Sequence, residues 1–296
     1  MIDPRLLYEL DPVHWEQVQG KRPVLIHLLE GYVDAGQTAR GLSRHLRQQA
    51  EHQTVVRFDH DALHDYRSRR PVITFDVNTW KSAAGFSLEL SHATDSLGQD
   101  YLLLHGPEPD TQWDRVVAAL NDLVAQLDVS MVVTASGAPV AVPHTRPTLI
   151  TAHSTDPTRF TDNPRMIDRV DVPASFSAYW ELALGGQDRL AMGFAALVPH
   201  YLAQATFHQS VLAVLERINA ATGLALPAGD LPDRVAANLA EINAEMNSSE
   251  EVLEVVSSLE TQYDAMQTRP EEYLPSADEL GAEFERFLAD QGKDED

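Results

Sequence analysis

The chain has 296 residues, 44% of them hydrophobic, with a net charge of -23 and no cysteine. That length can bury a sizeable core and suits one large domain with an appendage, or two domains. The charge argues against nucleic acid as a partner, the lack of cysteine excludes disulfides and thiolate metal ligands, and no apolar run approaches the ~20 residues of a membrane helix.

The start, MIDPRLLYELDPVHW, lacks the basic opening and apolar stretch of a signal peptide, so the expected location is the cytoplasm. PVLIHLL then reads as a buried strand, and GQTARGLSRHLRQQ puts Ala39, Leu42 and Leu46 on one helical face. TVVRF and PVITFDV are β-branched strand candidates separated by a polar loop. FSLELSHATD alternates like a strand, DYLLLHG is a buried run, and TQWDRVVAALNDLVAQL is a helix with Thr111 or Asp110 as its expected cap. VSMVVTASG, TLITAHS and GFAALVPHYL follow as strands, which together give an α/β sandwich.

After Gly223 the composition changes. ATGLALPAGDLP reads as a linker, so the expected units are an α/β core over 1–222 and a helical unit over 223–296. Leu231, Val235, Leu239, Ile242 and Met246 form one stripe, and Val252, Val255, Leu259, Tyr263 and Met266 form another. With Ser248 or Ser249 as a cap between them, the two suit an antiparallel helical hairpin. A last helix is expected over Ala277 to Asp290. From Pro227 onward there are 19 Asp/Glu against 4 Lys/Arg, a net of -15, which reads as a solvated helical face and acidic tail or as a docking surface for a basic partner.

The joint EGYVDAGQTARGL has neither G-x-G-x-x-G nor G-K-[ST], so it is no known nucleotide turn. Asp34, three residues before Gln37, resembles a capping box whose carboxylate takes the free N–H groups of a first helical turn, and such a terminus can also receive an anion. In RFDHDALHDYRSRRP, His60 and His64 are a weak echo of a metal motif, with Asp in place of Glu. Its Asp59, Asp61, Asp65, Arg67, Arg69 and Arg70 suit a salt-bridged loop, and a solvated connector and an interface fit them equally. HGPEPD presents Glu108 and Asp110, GAPVAVPHTRP presents His144 and Arg146, and VPHYL presents His200 and Tyr201, all in loops that Pro would stiffen. No nucleophilic triad emerges, since TASGAP around Ser136 is not G-x-S-x-G. No metal or cofactor site is expected.

Taken together, EGYVDAG, DYRSRRP, HGPEPD, VPHTRP, VPASF and VPHYLAQ resemble, in order, the actinobacterial branch of the proteasome assembly chaperone 2 family. The resemblance spans about three quarters of the chain and extends to the helical C-terminal part. It implies a three-layer α/β/α sandwich shaped like purine nucleoside phosphorylases, a homo-oligomer with a trimer favoured, and no established catalytic residues. Some eukaryotic relatives dock into proteasome rings through a C-terminal hydrophobic-Tyr-any motif, which the ending DQGKDED lacks.

Three functional expectations follow. The first is a non-enzymatic assembly-chaperone-like or protein-interaction protein. The second is a binder of, or enzyme acting on, a nucleoside or phosphorylated metabolite, using Asp34, Arg67, Glu108, His144, Arg146 and His200. There the arginines would hold an anion, and the carboxylates or histidines would move protons. The third is a structural oligomer whose charged loops are subunit contacts.

Overall fold

The computed structural model describes residues 2–160, 171–246 and 250–268. The chain opens with β1 (Tyr8–Leu10) and α1 (Pro12–Val18), the latter capped by Asp11, whose carboxylate accepts from the backbone of Val13 and His14. Next come β2 (Val24–Glu30), α2 (Thr38–Gln49), β3 (Gln53–Phe58) and the single turn α3 (His60–Leu63). β4 (Ile73–Asp76) and β5 (Thr79–Ala83) form a hairpin, followed by β6 (Glu89–Thr94), β7 (Asp100–Pro107) and α4 (Trp113–Gln126). β8 (Met131–Val140), β9 (Ile150–Ser154), α5 (Phe176–Gly185) and β10 (Ala191–Pro199) continue the body, and α6 (His208–Thr222), α7 (Leu231–Met246) and α8 (Glu250–Thr268) complete it.

Eight strands make one mixed sheet in the order β1-β3-β6-β7-β2-β8-β10-β9. β7, β2, β8 and β10 run parallel at its centre, and the flanking strands pair antiparallel. Strand side chains alternate between faces, so the continuous apolar runs serve two cores. Val24, Ile26 and Leu28 of β2 pack with Leu42 and Leu46 of α2 and Val211, Val214 and Ile218 of α6. Leu25 points the other way, into a core with Val116, Leu120 and Leu123 of α4 and Phe176, Trp180 and Leu184 of α5. The sequence expectation of an α/β/α sandwich therefore holds.

PVITFDV does supply a strand, but β4 pairs only with β5, outside the main sheet, and every residue of both strands is exposed. The cap of α4 also differs from expectation. The cap position belongs to Gln112, in the left-handed region at φ 59°, while Asp110 accepts from the backbone of Asp65 at 2.8 Å. In α8 the buried stripe is Val256, Leu259 and Tyr263, whereas Val255 is 47% exposed. Tyr263 packs with Val140, Val142 and Leu197, which seats α8 against the C-terminal ends of β8 and β10. The expected helix over 277–290, the cap at Ser248 or Ser249, and the acidic ending lie outside the described residues. Among the described residues no helix is long and apolar enough to cross a membrane.

Candidate functional site

Beyond β2 the chain needs a tight joint, and glycine supplies it. Gly31 has φ 136°, and a Cβ there would sit 2.0 Å from Nη2 of Arg69. Gly36 has φ 69°, donates to the Ala203 carbonyl at 2.9 Å and accepts from Phe207 at 2.9 Å. Between them Asp34 caps α2 from a distance. Its Oδ1 accepts from the Ala39 amide at 2.8 Å and its Oδ2 from the Arg40 amide at 3.1 Å. The capping role expected of Asp34 is thus present, but the reciprocal box is not, because Gln37 is itself the left-handed residue before the helix. Burial raises the pKa of Asp34, and the Ala39 and Arg40 amides partly oppose that rise.

Glu108 follows β7 in the same way. Its amide donates to the Glu30 carbonyl at 2.7 Å, which fixes the loop beside β2. Its Oε2 accepts from the Phe176 amide at 3.1 Å, in the first turn of α5, and Ser175 caps that helix through the Ala178 amide at 3.1 Å. Burial raises the pKa of Glu108, while the Phe176 amide and the Arg69 guanidinium pull it down.

Asp34 and Glu108 line one cavity of about 190 Å³, together with Tyr32, Ser136, Gly137, His153, Ser175 and Ser177. It lies at the C-terminal ends of the parallel strands. There the helix after β2 covers one face of the sheet and the helix after β7 covers the other, which is where open α/β sheets place ligands. Gly137 is required at its floor, because a Cβ would lie 1.9 Å from the Ala35 carbonyl oxygen. On the wall, Nδ1 of His153 lies 2.8 Å from Oε1 of Glu181. Beneath, His27 is buried edge-on to Trp180, and burial and His153 push its pKa down to about 3.

The other candidates lie elsewhere. Arg67 is exposed, and the arginine that reaches the Glu108 side is Arg69, whose Nη1 donates to the Glu30 carbonyl at 3.0 Å. His144 is buried, with Nδ1 2.7 Å from the Tyr201 hydroxyl and Nε2 3.1 Å from Oδ1 of Asn243 on α7. Arg146 grips α8, with Nε and Nη2 each 2.9 Å from an oxygen of Asp264 and Nη1 3.1 Å from Glu260. His200 is exposed, its ring 5.4 Å from that of Tyr201. So the structure brings together Asp34 and Glu108, gathers His144, Arg146 and His200 where the C-terminal helices dock, and leaves Arg67 apart. Ser136, Ser177 and His153 join the cavity without having been singled out as site residues. Ser136 ends an apolar run before Gly137, and Ser175 and Ser177 bracket a helix start, the signals that could have marked them. His64 is buried, its ring packed 5.8 Å from Phe86. Among the described residues no group of three or more His, Cys, Asp or Glu is placed to hold a metal ion.

Fold and site together define an α/β/α sandwich with an acid-lined cavity at the C-terminal edge of its sheet. The family model described as PAC2 matches residues 28–246, and the chain belongs to the PAC2 family. It is similar to the Mycobacterium tuberculosis protein of unknown function Rv2714, at 37% identity, with 96% of each chain covered and a TM-score of 0.87. A Corynebacterium glutamicum protein of unknown function is 34% identical over 89% of this chain and 98% of its own, with a TM-score of 0.84. The Mycobacterium tuberculosis proteasome-assembly chaperone homologue Rv2125 is 26% identical over 79% of this chain and 99% of its own, with a TM-score of 0.72. No curated protein matches the chain significantly.

Proposed function

We propose that this chain is a cytoplasmic, non-catalytic protein-interaction member of its family, assembly-chaperone-like in role, and that it works as a homo-oligomer joined through its hairpin arm. The supporting observation is the arm itself. Val72 is 75% exposed, Ile73 50%, Phe75 54%, Val77 89% and Trp80 62%. The Phe75 and Trp80 rings pack against each other at a tilt across the hairpin, centroids 4.7 Å apart, and both stay open to solvent. A two-stranded hairpin is marginal alone in water, and apolar groups displayed so densely mark a contact surface. The similarity to a proteasome-assembly chaperone homologue points in the same direction.

Charge favours a second copy as the partner. Arg67 and Arg70 are exposed at the root of the arm and make no ion pair among the described residues, while the whole chain carries -23. A basic, apolar arm meeting an acidic surface of the next copy is a head-to-tail contact, which closes into a ring such as the trimer the resemblance favours. Light scattering on the purified protein tests this. The intact chain is expected at a multiple of its mass, and Phe75→Ser with Trp80→Ser, or Arg67→Glu with Arg70→Glu, at the mass of one chain. An intact chain that is already monomeric would contradict the reading.

A further inference from the structure

The acid-lined cavity has no part in that reading, and its chemistry is selective. Among the described residues that line it there is no Lys or Arg. The guanidiniums that act on the two carboxylates are already engaged, since Arg40 pairs with Glu30 at 2.9 Å and Arg69 is held by the Glu30 carbonyl and, at 3.6 Å, by Asp110. His153 faces Glu181. A phosphate or carboxylate entering here would meet Asp34 and Glu108 with no free cation among the described lining residues to offset them. The opposite holds for a cation. Oε2 of Glu108 is taken by the Phe176 amide, but Oε1 accepts no hydrogen bond from the described residues, and the Asp34 carboxylate, which already accepts from the Ala39, Arg40 and Gly137 amides, keeps room for one more donor. Because burial raises the pKa of both carboxyls, a positive group beside them offsets the desolvation of two acids at once.

Size and walls narrow the class. A volume of about 190 Å³ falls short of the ~300 Å³ at which drug-sized sites begin, so the ligand is small. Leu29, Ala39, Ala135, Ala138 and Ala195 give the rest of the lining short apolar side chains that suit a few methylenes. We propose that the cavity binds a small primary aliphatic amine, with the ammonium on Glu108 and Asp34 and the hydrocarbon chain against the alanine wall.

The test is a thermal-shift and calorimetric titration of the full chain with butylamine and putrescine, using butan-1-ol as the uncharged match in shape and inorganic phosphate as the anion. A saturable rise with at least one amine and none with butanol or phosphate is expected. Glu108→Gln, which keeps the bond to Phe176, should weaken amine binding at least about tenfold, the loss typical of one charge-assisted hydrogen bond. Asp34→Asn should act in the same direction, and Arg146→Ala, whose side chain is bound to α8 and is not among the lining residues, should leave the affinity unchanged. A flat response to both amines, an equal response to butanol, a response to phosphate alone, or an amine response insensitive to Glu108→Gln would each overturn the proposal.

Discussion

At the scale of single residues, Gly137 in the cavity lining and Gly193 beside the lining residue His153 differ in what they can tolerate. A Cβ on Gly137 would strike the Ala35 carbonyl at 1.9 Å and Oγ1 of Thr38 at 2.7 Å, and backbone cannot swing aside. Gly137→Ala should therefore cost about 1–3 kcal/mol of unfolding free energy, the usual range for overpacking, read from the urea midpoint. On Gly193 the Cβ would meet the His153 ring at 2.1 Å, but that side chain is half-exposed and can rotate, so Gly193→Ala should cost less. An equal loss from both would refute this ranking. The capping tendency of Asp34 was legible in the sequence, because a carboxylate a few residues before a helix has a local target. The need for glycine at 137 was not, because it arises from the approach of a loop a hundred residues away. Likewise Arg67 and Arg69 are indistinguishable as letters, and only the turn at Gly31 decides which one reaches inward.

His27 supplies a prediction in pH. At pH 7 it is neutral when folded and mostly neutral when unfolded, so it contributes little there. Below 6.5 the unfolded chain takes a proton that the folded chain refuses until about pH 3, so stability falls by up to about 1.4 kcal/mol per pH unit. His105, pushed down to about 4 by burial, adds the same sign. Asp34 and Glu108 oppose it, because their raised folded values give a contribution that is present at low pH and lost as pH rises through them. His27→Leu should flatten the acid-side slope of the urea midpoint between pH 6 and about 4. A slope identical to the parent would show that His27 titrates freely.

At the scale of elements, α8 is held to the sheet by two kinds of contact, and their magnitudes differ. Arg146 with Asp264 and Glu260 is partly exposed, and pairs of that kind contribute about 0–1 kcal/mol and weaken with salt. Tyr263 is buried against Val140, Val142 and Leu197 and donates its hydroxyl proton to the Pro147 carbonyl at 2.8 Å. Burial should dominate, so Tyr263→Ala should raise hydrogen exchange throughout α8 far more than Arg146→Ala, with β2 and β8 still protected. The reverse order would make the ion pairs the principal clamp.

The same scale shows what periodicity can and cannot give. β2, β7, β8 and β10 are legible because a strand covered on both faces must be continuously apolar. β4 is legible as a strand, but its exclusion from the sheet is not, since the letters of PVITFDV would serve equally in a core. α5 and α6 could have been read from Phe176, Trp180 and Leu184 and from Val211, Val214, Leu215 and Ile218, which recur at helical spacing. The motifs before them, VPASF read only as part of the family pattern and VPHYL read as the end of a strand, draw attention away from those stripes.

At the scale of the whole molecule, a strongly acidic chain carries one exposed arm that is apolar along its strands and basic at its root. The fold buries its main sheet on both faces, whereas this hairpin leaves its apolar residues in water. The most direct measurement is to place a photocrosslinking amino acid at Val77, which is 89% exposed at the arm's tip, and to irradiate the purified protein. Self-association through the arm predicts covalent adducts at multiples of one chain's mass, with the captured peptide from the acidic surface of a second copy. Irradiation that yields only single chains at concentrations where the protein should be assembled would contradict it.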